Sequence, residues 1–331
     1  MPLHHTLKPT LKRGALIAAA NWPVTIIQAV ADSLFKLLMV APVVGGVFLV
    51  ALVAGSEPVA LLQLDRRELV ATIVTALPSQ PIVLGAFLAS LGIVVVGGSL
   101  FVFLVKAGTV RTLVRAERAA GPIERPPLHL DAMVRADAFS IERFTESTRA
   151  LFPRYARLGA VLLAVYIASG GVLIAAVFGG GRFGWGTTAG FTLVFVSWIT
   201  VVNLFYLLIQ IVIAADDCSV GTAALRVAAF VRREWRRVGL TFLAVLAVVI
   251  VAQMASVLAA GALSVLGFVP FFGPMLSFTL MPLSLLALAL RFVVVQYVGL
   301  SSVVAYLTLY RDGAADTRAS ERVEGLAATR G

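Results

Sequence analysis

The chain has 331 residues, 60 % of them hydrophobic and only 13 % charged, and its 27 basic and 17 acidic side chains leave a net charge of +10. Soluble domains are about 45–50 % apolar and about 25 % charged, so a mean hydropathy of +0.98 excludes a soluble globular fold and disorder alike and points to a polytopic membrane protein. The single cysteine, Cys218, excludes an internal disulfide and any cysteine-built zinc or iron–sulfur cluster, and His4, His5 and His129 all lie outside the apolar runs.

At the N-terminus Lys8, Lys12 and Arg13 precede an apolar run, 14–20, which imitates a secretory leader. Asn21-Trp22-Pro23 interrupts that run and no small-x-small cleavage site follows. The better reading is an amphipathic interfacial helix over 14–32 with Trp22 at headgroup depth. A hydrocarbon core takes about 20 apolar residues as a helix. Six stretches qualify, at approximately 34–54, 82–105, 157–178, 187–214, 239–266 and 283–309. None shows the residue-by-residue alternation of a barrel strand. The expected fold class is therefore all-α, a polytopic transmembrane helix bundle of six spans. Between spans one and two, loop 56–80 reads as a cap with a short helix from Arg66 through Ala76, closed by Pro78 and Pro81. The stretch 121–130, with Pro122, Pro126 and Pro127, reads as an irregular linker.

The C-terminal region admits two readings. From Met275 to Tyr310 there are 36 residues, too many for one straight crossing, and Pro270, Pro274 and Pro282 punctuate the start. Either 270–281 is a broken or re-entrant turn before a long sixth helix at 283–309, or two short spans meet at Arg291 and send the C-terminus to the opposite side. The tail 313–331, rich in Ala, Arg, Glu and Thr, is expected to fray.

Charge sorts the connections. The N-terminal arm, the segment 106–157 and the segment 215–237 carry three, ten and five basic residues, whereas loops 55–81, 179–186 and 267–274 carry two, one and none. The positive-inside rule then puts both termini in the cytoplasm, and the expected location is the inner (cell) membrane. It also accounts for the net charge without nucleic acid. The same connections suggest a threefold plan, in which a cytoplasmic amphipathic stretch (14–32, 137–153, 219–236) precedes each helical hairpin. In the second, Ile141, Phe144, Thr148 and Leu151 recur at helical spacing; in the third, Val220, Ala223, Ala224, Val227 and Val231 form a stripe. Basic helices of this kind lie on anionic headgroups. The expected domain layout is one membrane domain over 1–312, with hairpin repeats 14–120, 137–215 and 219–310.

Familiar catalytic patterns are missing. No span holds a histidine, every acidic residue lies in a loop, at a span boundary or in the tail, and neither a Walker A motif nor a dinucleotide fingerprint occurs. The expectation is a non-enzymatic protein with no cofactor and no metal. The intramembrane polar groups are few. Arg291 costs about 2.5–3.5 kcal/mol at mid-membrane on insertion scales. It reads either as a site for an anionic headgroup or substrate, or as a side chain snorkelling to the outer interface. Asn203, Gln210, Gln253 and Gln296 read first as interhelical hydrogen-bonding groups. The glycine pairs 45–46, 97–98 and 170–171 and the run 259–262 read as close-packing surfaces.

One segment carries a resemblance. Asp216-Asp217-Cys218-Ser219-Val220-Gly221-Thr222-Ala223-Ala224-Leu225-Arg226, then Arg232-Arg233-Glu234-Trp235-Arg236-Arg237-Val238-Gly239, with Leu309-Tyr310-Arg311-Asp312 at the last span, resembles a loose group of bacterial six-helix integral membrane proteins. That group includes the membrane domain attached to some glycerophosphoryl diester phosphodiesterases. The resemblance implies a six-span membrane module. No phosphodiesterase domain is present, so no catalytic role is implied. Read physically, Asp216 and Asp217 are expected to cap the helix that follows and meet the positive end of its dipole. Arg226, Arg232, Arg233, Arg236 and Arg237 are expected to contact anionic lipid. The leading expectation is a scaffold or accessory protein with membrane lipids as partners. A transporter or channel for a small or lipid-like anion is the alternative, and an intramembrane lipid-modifying enzyme the third.

Overall fold

The computed structural model describes residues 4–54, 65, 68, 81–125, 127, 130–179, 185–267 and 273–328. Among them there is no strand, and eight helices have described bounds: α1 (His4–Ala20), α2 (Trp22–Ala54), α3 (Pro81–Ala119), α4 (Leu130–Ala136), α5 (Ile141–Gly179), α6 (Trp185–Asp216), α7 (Val220–Gly267) and α8 (Gly273–Ala328). Six are long and apolar enough to cross a membrane: α2, α3, α5, α6, α7 and α8. Each overlaps one of the six expected spans. Apolar side chains such as Leu52, Ile82, Ile167 and Leu193 are exposed along them, as a surface built for hydrocarbon requires, since lipid tails are as apolar as leucine.

The helices differ from the sequence-based plan in how they join. The amphipathic stretch 14–32 is not one helix, because α1 stops at Ala20 and α2 starts at Trp22, with Asn21 in the turn. The stretches at 137–153 and 219–236 are not separate helices either. The first begins at Ile141 and runs straight into its span as α5, and the second continues into its span as α7 across a kink at Glu234 (φ −111°, ψ 27°). Their apolar stripes are partly claimed by protein, for Thr148, Leu151, Ala223 and Val227 are all buried. A short helix, α4, follows the proline-rich linker. At the C-terminus α8 is continuous from Gly273 through Ala328 with Pro282 inside it. The expected break or re-entrant turn at 270–281 is corrected over its described part, 273–281, which is helical and continuous with 283–309, and the alternative of two short spans is corrected with it. Hydropathy marks where the solvent changes, and backbone hydrogen bonding need not stop there. The expected loop helix from Arg66 through Ala76, the residues 268–272 and His129 lie outside the described residues, apart from Glu68 in the first.

The chain divides into two compact units, Met1–Ala29 with Lys106–Gly331, and Val30–Val105. In the smaller unit, α2 and α3 meet where a Cβ on Gly46 would fall 2.7 Å from the Phe87 ring and one on Gly98 would overlap Phe35, so these two glycines seat rings of the facing helix. Gly45 and Gly97 have open space instead, as do Gly170 and Gly171 in the larger unit, and the side chains of 259–262 lie outside the described residues.

The larger unit is built around α8. Half of its apolar window is buried within protein, against 11 % for α5, α6 and α7. It packs on α1, α6 and α7. Helix α1 lies so close that a methyl on Gly14 would overlap the Ser301 carbonyl oxygen, and the Tyr297 hydroxyl donates to the Ala15 carbonyl at 2.9 Å. The N-terminal helix is therefore seated on protein along one side, where an interfacial helix was expected to lie on lipid.

Candidate functional site

The polar side chains of the larger unit gather at one end, where α1, the C-terminal half of α3, the α6–α7 elbow and the last part of α8 meet. Helix α3 ends in a basic run, Arg111, Arg115 and Arg118, with Glu117 its single acid between Lys106 and Ala119. Gly121 stops the helix in the left-handed region (φ +61°), which glycine adopts without a Cβ penalty. Its carbonyl and the Glu117 carbonyl both accept from Arg13 of α1, the latter at 3.1 Å. The Arg13 guanidinium also reaches Glu117 Oε1 at 3.1 Å and Glu124 Oε2 at 2.9 Å. Lys12 donates to the Glu124 carbonyl at 2.9 Å. The second oxygen of Glu117 accepts from Arg311 of α8. One carboxylate, 8 % exposed, thus joins α1, α3 and α8 through two arginines. Such pairing is what allows a charge to be buried at all.

A second node forms at the end of α6. Its last carbonyls have no partner within the helix. Arg111 and Arg118, seven residues apart and so on one face of α3, donate to the carbonyls of Ala214 (2.5 Å) and Ala215 (2.7 Å). Two cations at a helix C-terminus also complement its dipole. Asp217 then turns the chain with a φ of +52° and pairs with Arg154 of α5. Asp216 Oδ2 accepts from Arg226 at 2.5 Å and from the Tyr310 hydroxyl at 2.7 Å. The expected capping by these two aspartates is corrected here. Ser219 is the N-cap of α7: its Oγ faces the Thr222 N–H at 3.3 Å, and its carbonyl accepts from Ala223 N at 2.9 Å. Asp216 and Asp217 sit two to three residues too early to reach that helix end, and they tie neighbouring helices together instead.

The remaining expected residues scatter. Arg232 and Arg236 are exposed on α7 beside Trp235, which is 63 % exposed and lies 5.4 Å from the Arg236 guanidinium. Arg237 Nε stands 3.4 Å from Glu234 at the kink. Arg226 and Arg233 line a cavity of about 260 Å³ between α7 and α8, together with Ala229, Phe230, Glu234, Tyr310, Gly313 and Ala314. Of the intramembrane groups, Asn203 Oδ1 accepts from Tyr166 of α5 at 2.5 Å, and Gln253 Oε1 accepts from Arg291 at 2.6 Å, joining α7 to α8. Gln210 is buried, and its backbone carbonyl accepts from the buried Tyr155 hydroxyl at 2.8 Å. Gln296 is half-buried on α8.

Several residues at this end escape single-sequence reasoning. Glu117, Arg13, Arg311 and Tyr155 look like ordinary boundary residues until their partners are known. Asn21 left a faint signal, a lone amide interrupting an apolar run. Chemically the ensemble is rich in donors aimed at carbonyls and carboxylates. Among the described residues, no three of His, Cys, Asp and Glu come together as a metal site. No family model, no curated protein and no solved structure matches the chain.

Proposed function

We propose that this chain is a non-enzymatic multi-pass protein of the inner membrane, a scaffold or accessory module of the six-helix kind it resembles. Its charge-knit end faces the cytoplasm and holds anionic lipid headgroups. One observation carries the reading. Where α7 passes from charged to apolar, Arg232, Arg236 and Trp235 are exposed side by side, while Arg13, Arg111, Arg118, Arg154 and Arg226 are engaged by protein groups. An indole at headgroup depth flanked by guanidinium groups is an interfacial anchor for acidic lipid.

The test is lipid retention in nanodiscs of mixed acidic and zwitterionic phospholipid, read by native mass spectrometry. At about 1 kcal/mol for each basic residue near the surface, removing two charges in Arg232→Gln/Arg236→Gln predicts about a thirtyfold fall in preference for acidic lipid. An unchanged preference overturns the reading. Sidedness has its own probe in Cys218, between α6 and α7. An impermeant maleimide is expected to label it in inverted vesicles and not in intact cells, and the reverse pattern overturns the orientation. Burial pushes the Cys218 thiol above its ordinary range, opposed by Arg226 and reinforced by Asp216. The thiolate is the reactive form, so labelling is expected to be slow at neutral pH and to quicken as pH rises.

The anion-transport alternative rests on Arg291. Its hydrogen bond to Gln253 supplies a protein partner within the apolar region, and so favours a helix-joining role over a substrate site.

A further inference from the structure

Arg291 stands apart from the charge-knit end. It is exposed on α8, and its Nη2 donates to Gln253 Oε1 of α7 at 2.6 Å. We infer that this pair seats the phosphate of one acidic phospholipid, a resident lipid and not a transported substrate. The lipid belongs to the leaflet opposite the exposed Arg232 and Arg236, so the inference goes beyond the contact proposed above and stands without it.

The guanidinium groups of Arg13, Arg154, Arg226, Arg237 and Arg311 each meet an aspartate or a glutamate. Arg291 meets a neutral amide, and among the described residues no carboxylate stands within ion-pair distance of it. Its surroundings are apolar. Leu288, Leu290 and Val294 on α8 and Val251 and Met254 on α7 are all exposed, within helices apolar enough to cross a membrane. A cation that opens onto hydrocarbon is costly until an anion or water joins it. A guanidinium carries five donor hydrogens, and an amide that accepts through its oxygen still has two donors on its nitrogen. The bond to Gln253 therefore joins the helices and steadies the guanidinium without neutralising it. The remaining donors suit two phosphate oxygens, the planar arrangement in which arginine binds phosphate most strongly.

Position selects the source of the anion. Arg291 precedes Arg311 by about 20 residues on one continuous helix, a distance of about 30 Å. Gln253 follows Arg236 on α7 by about 25 Å. A hydrocarbon core is about 30 Å thick, so both helices carry the pair away from the charged end and toward the other leaflet. Side chains on a helix lean toward its N-terminus, which on α8 is farther still from that end. A carboxylate from a second copy is a poor candidate, since every acidic residue lies in a loop, at a span boundary or in the tail. A small soluble anion would leave water and gain nothing from the exposed leucines and valines. A phospholipid brings its phosphate and lays its acyl chains along them. Net negative charge on the lipid matters because a zwitterionic headgroup brings a second cation that this pair cannot answer.

The experiment uses nanodiscs of phosphatidylglycerol and phosphatidylcholine, read by native mass spectrometry. Wild type and the Arg232→Gln/Arg236→Gln pair are both expected to keep one tightly held phosphatidylglycerol per chain. Arg291→Leu is expected to lose it at least tenfold more readily, and so is Arg291→Gln, which removes the charge but retains an amide donor. Equal retention by wild type and both Arg291 variants overturns the seat, whatever the Arg232/Arg236 pair does. Thermal midpoints in neutral detergent separate binding from helix joining, because a ligand held only by the folded chain raises the midpoint. In the Arg232→Gln/Arg236→Gln background, added phosphatidylglycerol is expected to raise it, and adding Arg291→Gln to abolish the rise. A lower starting midpoint with an undiminished rise means that Arg291 only joins helices, and overturns the inference. An equal rise with inorganic phosphate overturns the lipid source, and an equal rise with oleate overturns the phosphate.

Discussion

Glu117→Ala is expected to destabilise the larger unit by about 3–5 kcal/mol, the range for removing one member of a buried ion pair. The carboxylate is 8 % exposed and serves Arg13 and Arg311 at once. Its loss strands the Arg311 guanidinium and takes one of two carboxylate partners from Arg13. Arg13 keeps Glu124 and two backbone carbonyls, so the larger share of the cost falls on Arg311. Glu124→Ala is therefore the milder change, since Glu124 is more exposed (20 %) and pairs with Arg13 alone among the ion pairs found. The thermal midpoint in detergent checks the order. The prediction fails if Glu124→Ala costs as much as Glu117→Ala. A cycle with Arg311→Met adds a second readout. Once Glu117 is gone, removing Arg311 is expected to cost little or to restore stability, because it removes the charge left unpaired. The clasp joins residues about 104 and 194 positions apart along the chain. Its loss is thus expected to free α1 from α3 and α8 together, with early proteolysis of the N-terminal helix as the accompanying sign.

The legible part of this molecule was its solvent. Six apolar runs of about 20 residues became six candidate spans, because nothing but a helix satisfies its own backbone in hydrocarbon. What the runs concealed is where each helix starts. The residues 141–156 and 220–238 carry charge but no helix breaker apart from Pro153 and Gly221, so α5 and α7 continue through the change of solvent. At the other end, the proline at 282 removes one donor from α8 without stopping it. The segment that carried the family resemblance, 216–239, proved to hold the elbow, the kink and half the cavity wall. Its internal logic was misread at Asp216 and Asp217 for a physical reason. An aspartate before a helix looks like a cap in a linear sequence, but here the claims of Arg226, Tyr310 and Arg154 come from helices up to 94 residues away. A single chain of letters holds no record of such pairings, and the same holds for Glu117.

Asn21 shows how a weak sequence signal becomes a strong structural constraint. Its side chain is fully buried. The amide nitrogen donates to the carbonyls of Ile17 (3.0 Å) and Ala136 (2.8 Å), and the amide oxygen accepts from Ala138 N at 3.1 Å. It closes the end of α1 and holds the end of α4 in the same motion, because each helix leaves carbonyls without an internal partner there. Asn21→Leu keeps the branching at Cγ, adds some bulk and removes all three bonds. The buried Ala136 carbonyl and the half-buried Ala138 N–H then lose their partner, at about 1–3 kcal/mol each. A loss of about 2–5 kcal/mol in unfolding free energy is expected, second only to Glu117→Ala. Asn21→Asp is the discriminating variant. It retains an oxygen for Ala138 N but turns the donor toward Ala136 into a second acceptor, so it brings an unpaired charge against a carbonyl. It is expected to be at least as damaging as leucine, despite its closer shape. If aspartate is tolerated, the amide is not acting as the donor that joins α1 to α4, and hydrogen exchange at Ala138 decides whether any of the clamp remains.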